Sequence, residues 1–234
     1  MAIHLNSFVF LATPRTASNS LFFSLRELGG KEIDHHHFIP PRQEFPNTQY
    51  VASIRNHFDW FVSSWIKTTW RATDKNLQNM PFDRWLTDIL TNPSSQLTQF
   101  TAPGYVEIGH DKHELFKPLY DQCEVLLSYE MLEKQLAALL QTTPEKLRFP
   151  KANRTPHKKP YQAYYTPALI DLVTQHYGAE LDKLRYSFDS GREWEPRNDN
   201  EPLTGGGIFN EFNQLKPVTK HHGEWKNLKN NPFV

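Results

Sequence analysis

Cysteine occurs once in this chain of 234 residues, at Cys123. Within one chain this excludes both a disulfide framework and a cysteine-based zinc site, and it fits a reducing compartment. An excess of charge of one sign is also lacking, since Lys plus Arg and Asp plus Glu each number 26. A neutral chain exerts no global pull on nucleic acid or on an anionic membrane, so an anion site has to be a local cluster of donors. Long hydrophobic runs are missing too. No segment approaches the roughly 18 apolar residues that a membrane span needs. The N-terminal MAIHLNSFVFLA has no basic leader and reads as a first strand, not as a signal peptide. The expectation is a soluble, cytoplasmic protein with no nucleic-acid partner and no transmembrane segment. Internal repeats are absent, and 38% hydrophobic residues suffice for one sizeable core.

Four apolar runs read as buried strands: SFVFLAT, a short one within GGKEIDHHHF, YVASIR from Tyr50 to Arg55, and EVLLSYE from Glu124 to Glu130. Short apolar runs without clean alternation suit parallel strands covered on both faces. Helical patterns lie between them. SNSLFFSLRELGG runs from polar cap candidates to a Gly-Gly stop, and NHFDWFVSSWIKTTWRAT sets Phe58, Phe61, Val62, Trp65 and Ile66 on one stripe. PFDRWLTDIL, MLEKQLAALLQ and TPALIDLVTQHYGAELDKL continue the alternation. The predicted fold is α/β, a three-layer α/β/α sandwich with a mainly parallel central sheet over residues 1–189. From Ser190 to Val234 the chain is rich in Gly, Asn, Pro and charge, and it reads as a loop-rich extension.

Two segments are candidates for anion binding. The first, TPRTASNSL, joins an apolar strand to a helix. The leading N–H groups of a helix have no intrahelical partner and its dipole is positive there, so an anion is favoured. Thr13, Thr16, Ser18, Asn19 and Ser20 add hydroxyl or amide donors, and Arg15 adds a fork of them. Simple capping by Ser18 or Asn19 is the alternative, but it accounts for one polar residue only. The Walker A pattern GxxxxGK[ST] is absent. In the second segment, RNHFDWFVSSW, Arg55 marks a strand-to-helix junction and Ser63 follows eight residues later. Read alone, these would be a surface arginine and serine. In a doubly wound sheet, neighbouring strand ends open onto one crevice, so both segments would face one ligand with two anionic groups.

Together the two segments resemble the signature loops of the sulfotransferases that use 3′-phosphoadenosine-5′-phosphosulfate (PAPS). In that family the first loop, PR-[TS]-G-S-x-x-L, holds the 5′-phosphosulfate. The second, R-N-P-x-D-x-x-V-S-x-W, holds the 3′-phosphate through its arginine and serine. Arg55, Asn56, Asp59, Val62, Ser63 and Trp65 stand at matching positions here. VLLSYEMLEK and YYTPALIDLVTQHYGAELDKLRYSF also resemble the family's fourth strand and C-terminal helix, so the likeness covers about residues 7–189. Ala17 replaces the usual glycine and His57 the usual proline, the latter change expected to matter little at a helix start.

The resemblance implies a P-loop-like sulfotransferase fold and transfer of a sulfuryl group, without metal, to a hydroxyl or amine. The acceptor class is open: a small molecule, glycan, lipid or peptide. Arg15 would stabilise the departing phosphate. Thr16, Ala17, Ser18, Asn19 and Ser20 would line the 5′-phosphosulfate, and Arg55 with Ser63 the 3′-phosphate. A base is expected about twenty residues after Arg15, where DHHHF offers His36 or His37. A metal site or polar surface are the alternatives for these histidines, and three adjacent histidines are poor geometry for one metal. The stretch Lys151 to Tyr165 reads either as a solvated basic loop or as a flap, with Arg154, Lys158 or Lys159 meeting the 3′-phosphate and a tyrosine against adenine. Trp65, Trp70 and Trp85 read as core or as the wall of an acceptor pocket. The competing functions are a nucleotide-binding protein without transferase activity and, less well supported, a P-loop kinase.

Overall fold

The computed structural model describes residues 2–33, 40–92, 116, 121–150 and 159–189. Its centre is a five-stranded sheet of β1 (Ala2–Leu5), β2 (Phe8–Leu11), β3 (Lys31–Ile33), β4 (Gln49–Ile54) and β5 (Val125–Ser128), in the order β3-β1-β2-β4-β5. β2 pairs parallel with β4, and β4 with β5. β1 is antiparallel to both β2 and β3, so four strands share one direction and β1 opposes them. The stretch read from sequence as one strand is in fact a hairpin. Leu5 pairs with Phe8, and Asn6 between them has φ 54°, a left-handed position that asparagine tolerates. Every residue of β2 and β5 is buried, as expected of strands covered on both faces.

Six helices flank the sheet among the described residues: α1 (Ser18–Glu27), α2 (His57–Arg71), α3 (Lys75–Gln78), α4 (Phe82–Thr91), α5 (Leu132–Leu139) and α6 (Pro167–Lys183). Successive strand residues point to opposite faces, which divides the core in two. Ile3, Phe8, Phe10, Val51, Val125 and Leu127 pack with Leu21 and Leu25 of α1 and Leu136 of α5. Val9, Leu11, Tyr50, Ala52 and Ile54 pack on the other side with Phe58 of α2, Trp85 of α4 and Val173 of α6. The protein is thus a three-layer α/β sandwich with α1 and α2 on opposite faces.

Local signals set the ends of α1. Gly29 adopts φ 88°, and the Gly30 N–H reaches back to the Leu25 carbonyl at 2.8 Å, closing the helix with a Schellman turn. A Cβ on Gly30 would come within 2.6 Å of Ile3 Cγ2 and 2.8 Å of the Leu25 carbonyl oxygen, so only glycine fits where α1 turns into β3. β3 lies beyond β1 on one side of β2, whereas β4 lies on the other. Chain direction across the sheet therefore reverses between β2 and β4, the position at which doubly wound sheets place their ligand crevice.

His57 corrects one sequence expectation. Far from being a neutral replacement at a helix start, it is fully buried, with Nε2 2.6 Å from Glu180 Oε2 of α6. Glu180 Oε1 also accepts the Phe116 N–H at 2.6 Å, so one carboxyl ties α2, α6 and Phe116 together. Phe188 packs against Phe58 and Tyr165. Residues 190–234, assigned from sequence to an extension, lie outside the described residues.

Candidate functional site

The loop between β2 and α1 is built by backbone conformation as much as by side chains. Arg15 has φ 65° and Ala17 φ 60°, two left-handed residues flanking Thr16. Left-handed residues alternating in this way are the backbone pattern from which N–H nests are built. Ala17 is itself the residue that opens α1, and no side chain caps the helix. Capping by Ser18 or Asn19 is therefore not what the polar run does. The first turn also holds no acidic residue, which leaves the positive end of the helix dipole uncompensated from within.

Side chains hold this loop from behind. Thr16 is fully buried, its hydroxyl donating to the Thr13 carbonyl at 2.8 Å and lying 2.6 Å from Ser53 Oγ of β4. It secures the loop to the neighbouring strand instead of facing the crevice with its hydroxyl. Trp60 Nε1 of α2 donates to the Pro14 carbonyl at 3.0 Å. Ser20 is buried, Ser18 half-buried and Asn19 exposed, so the loop's polar residues fall into distinct environments.

The two segments proposed from sequence to share a ligand are in direct contact. Arg15 Nη2 donates to Ser63 Oγ at 2.6 Å and to the Ser63 carbonyl at 2.9 Å. Arg55 Nη1 donates back to the Arg15 carbonyl at 2.7 Å. Ser63 lies in the second turn of α2, on the side that meets the loop between β2 and α1. Arg55 is only 4% exposed, and Asp59 one turn later takes its Nε at 2.9 Å and its Nη2 at 2.7 Å on a single carboxylate oxygen. The Tyr129 ring covers the guanidinium at 4.1 Å. Three of the five N–H donors of Arg55 are thus occupied by the protein. Burial, then the neighbouring cations Arg55 and Arg71, pull the pKa of Arg15 below the usual arginine value. It remains cationic at neutral pH, in a field that a bound anion would relieve.

A second polar layer fixes the Arg55 junction. Asn56 accepts the Phe58 N–H on its side chain at 3.0 Å, capping α2, and its amide donates to the Ser187 carbonyl at 2.7 Å. The Asn56 N–H reaches Glu130 Oε1 at 3.1 Å, while Glu130 Oε2 accepts from Ser128 at 2.7 Å and from Tyr186 at 2.9 Å. Burial and the adjacent Glu130 push the Tyr186 hydroxyl well above its ordinary pKa, so it stays a donor.

Sequence reasoning missed Trp60, Asp59 as a partner of Arg55, Tyr129 and Glu130. The register between β4 and β5, which local patterning does not give, pairs Ile54 with Ser128 and so sets Arg55 beside Tyr129. Candidate bases His36 and His37 lie outside the described residues, as do Arg154 and Lys158. Lys159 is exposed. Tyr161 is buried and Tyr164 and Tyr165 half-buried; the hydroxyls of Tyr161 and Tyr165 donate to the carbonyls of Phe188 and, at 2.9 Å, Phe58. Trp85 is fully buried and Trp65 half-buried, but Trp70 is 67% exposed. Among the described residues no group of His, Cys, Asp or Glu is placed to hold a metal, and no helix is long and apolar enough to cross a membrane. No protein-family model, curated protein or solved structure matches the chain.

Proposed function

We propose that this protein is a PAPS-dependent sulfotransferase. The observation that carries this reading is the contact of Arg15 with Ser63 and of Arg55 with the Arg15 carbonyl, at the point where strand order reverses. Two anion-binding elements forty residues apart in sequence become one unit there. When bound, PAPS supplies the sulfuryl group: the acceptor oxygen bonds to sulfur as the sulfur–oxygen bond to the 5′-phosphate breaks, and the hydroxyl proton passes to a base.

The residues present fit such a nucleotide. The nest at Arg15–Ala17 and the uncapped start of α1 would hold the 5′ end through backbone N–H groups, with Ser18, Asn19 and Ser20 around them. Arg15 would neutralise charge that grows on the departing phosphate, the main demand of an in-line transfer. Ser63 accepts from Arg15 and would stand beside Arg55 at the 3′-phosphate. Arg55 would meet the 3′-phosphate with donors beyond those given to Asp59 and Arg15. His36 or His37 would take the acceptor proton. A Walker lysine is absent from the loop, which disfavours a kinase.

Calorimetric titration with adenosine 3′,5′-bisphosphate, followed by ATP, tests the reading. The bisphosphate is expected to bind more tightly; equal or tighter ATP binding would overturn it. Arg55→Ala should then weaken the bisphosphate by ~1.5–3 kcal/mol, the scale of a charged hydrogen-bonded contact.

A further inference from the structure

The cationic surface does not stop at the nucleotide loop. Ser63, Lys67 and Arg71 follow one another at four-residue intervals along α2, which places them on one helix face. Ser63, at the start of this row, is the residue that Arg15 grips. Eight residues at 1.5 Å each extend the row about 12 Å beyond the loop. Trp70 lies beside it, 67% exposed, with Lys67 Nζ 5.2 Å from the ring centroid. Neither Lys67 nor Arg71 makes an ion pair among the described residues. Asp74, the carboxylate next in sequence, is occupied by the N–H groups of Asn76 and Leu77 at the start of α3.

Like charges so arranged repel one another unless something negative joins them. The mutual effect is visible in Lys67, whose pKa is lowered by burial first and then by Arg71 and Arg15. In a chain with no net charge, such a row is a local feature of this face and not a by-product of composition. An exposed indole beside two cations adds a flat apolar platform, on which the body of a ligand can lie while its charged group meets the cations.

We infer that the Lys67–Arg71 row, with Trp70, binds a negatively charged group on the acceptor, so that the substrate is a hydroxyl- or amine-bearing molecule that already carries a carboxylate, sulfate or phosphate. This rests on the sulfotransferase reading. The nucleotide's own charges are met by the loop, Arg15, Arg55 and Ser63, and the row begins where those contacts end. An acceptor held by its anion on Lys67 and Arg71 reaches back along α2 toward Arg15, where transfer takes place. A neutral acceptor would leave both cations without a counter-charge among the described residues.

The test uses the full chain saturated with adenosine 3′,5′-bisphosphate, so that the nucleotide loop is filled, and titrates it with inorganic sulfate. Tryptophan emission reports binding, and Trp70→Phe identifies the share of the signal that arises at this row. Sulfate is expected to bind the loaded protein and to lose at least tenfold in affinity in the Lys67→Gln/Arg71→Gln double variant. Bisphosphate affinity should stay within twofold in that variant, and the charge-preserving Lys67→Arg/Arg71→Lys pair should keep sulfate binding. Absence of sulfate binding to the loaded wild type, an unchanged sulfate affinity in the double variant, or a tenfold loss of bisphosphate affinity in it each overturns the assignment. Should the bisphosphate itself fail to bind, the sulfotransferase reading falls, and the same titration on the nucleotide-free chain still decides whether the row takes an anion.

Discussion

Ala17 carries a backbone conformation that L-residues other than glycine enter at a cost of roughly 1–2 kcal/mol. Its φ of 60° opens α1 and completes the nest, so the strain lies in the anion loop itself. Ala17→Gly should therefore raise stability by about 0.5–1 kcal/mol in urea denaturation, the relief exceeding the added freedom of the unfolded chain. Bisphosphate affinity should be preserved, because the backbone N–H groups keep their direction. At Arg55 the balance differs. The guanidinium is buried against one carboxylate oxygen of Asp59, and removing Asp59 leaves a charge with no water to replace it. Asp59→Ala is expected to cost about 3 kcal/mol, the lower end for breaking a buried pair, measured as a drop in the urea midpoint. Cys123 is buried, which pushes its thiol far above its usual range.

Among the elements, α2 does the most to join fold and site. The first half of the helix is buried all round, from His57 to Ser64, and the rest turns outward through Lys67 to Trp70 and Arg71. A stripe of Phe58, Phe61, Val62, Trp65 and Ile66 is legible in the sequence because apolar residues recur at helical spacing. Trp60 falls off that stripe and is buried nonetheless, since the loop after β2 packs over it and takes its indole N–H. Trp60→Phe should keep the ring's burial but leave the Pro14 carbonyl without its donor. The expected loss is about 1 kcal/mol of stability, with a further fall in bisphosphate affinity as the loop loosens. Calorimetry of this variant beside the wild type separates the two effects.

For the whole molecule, the helical layer that carries α2 and α6 is tied together by Glu180, which bonds both His57 and the Phe116 N–H. Glu180→Ala strands two buried groups at once and should destabilise by roughly 2–5 kcal/mol, read by thermal or urea unfolding. Ligand binding acts in the opposite direction. At one hundred times its dissociation constant, adenosine 3′,5′-bisphosphate should add about 2.7 kcal/mol, whereas ATP at the same concentration should add less. A melting-temperature shift that is equal for the two nucleotides would contradict the preference for a 3′-phosphate.

By itself the sequence determined what local periodicity and local chemistry encode. It specified the buried strands β2, β4 and β5, the alternation with helices, and a polar loop with one arginine before α1. These follow from apolar spacing and from the unpaired N–H groups of any helix start, and they need no partner distant in the chain. Only the tertiary structure decided which side chains meet. It turned Thr16 inward to Ser53, set Arg15 on Ser63, neutralised Arg55 with Asp59 and locked His57 to Glu180. It also split the first apolar run into a hairpin, because Asn6 takes a left-handed conformation that apolar patterning does not reveal. Most of these contacts join residues between 37 and 123 positions apart, and local patterning carries no information about such pairs. Their geometry is settled when two faces of one sheet are packed at once, and that packing brings the crevice between β2 and β4 together with its charge.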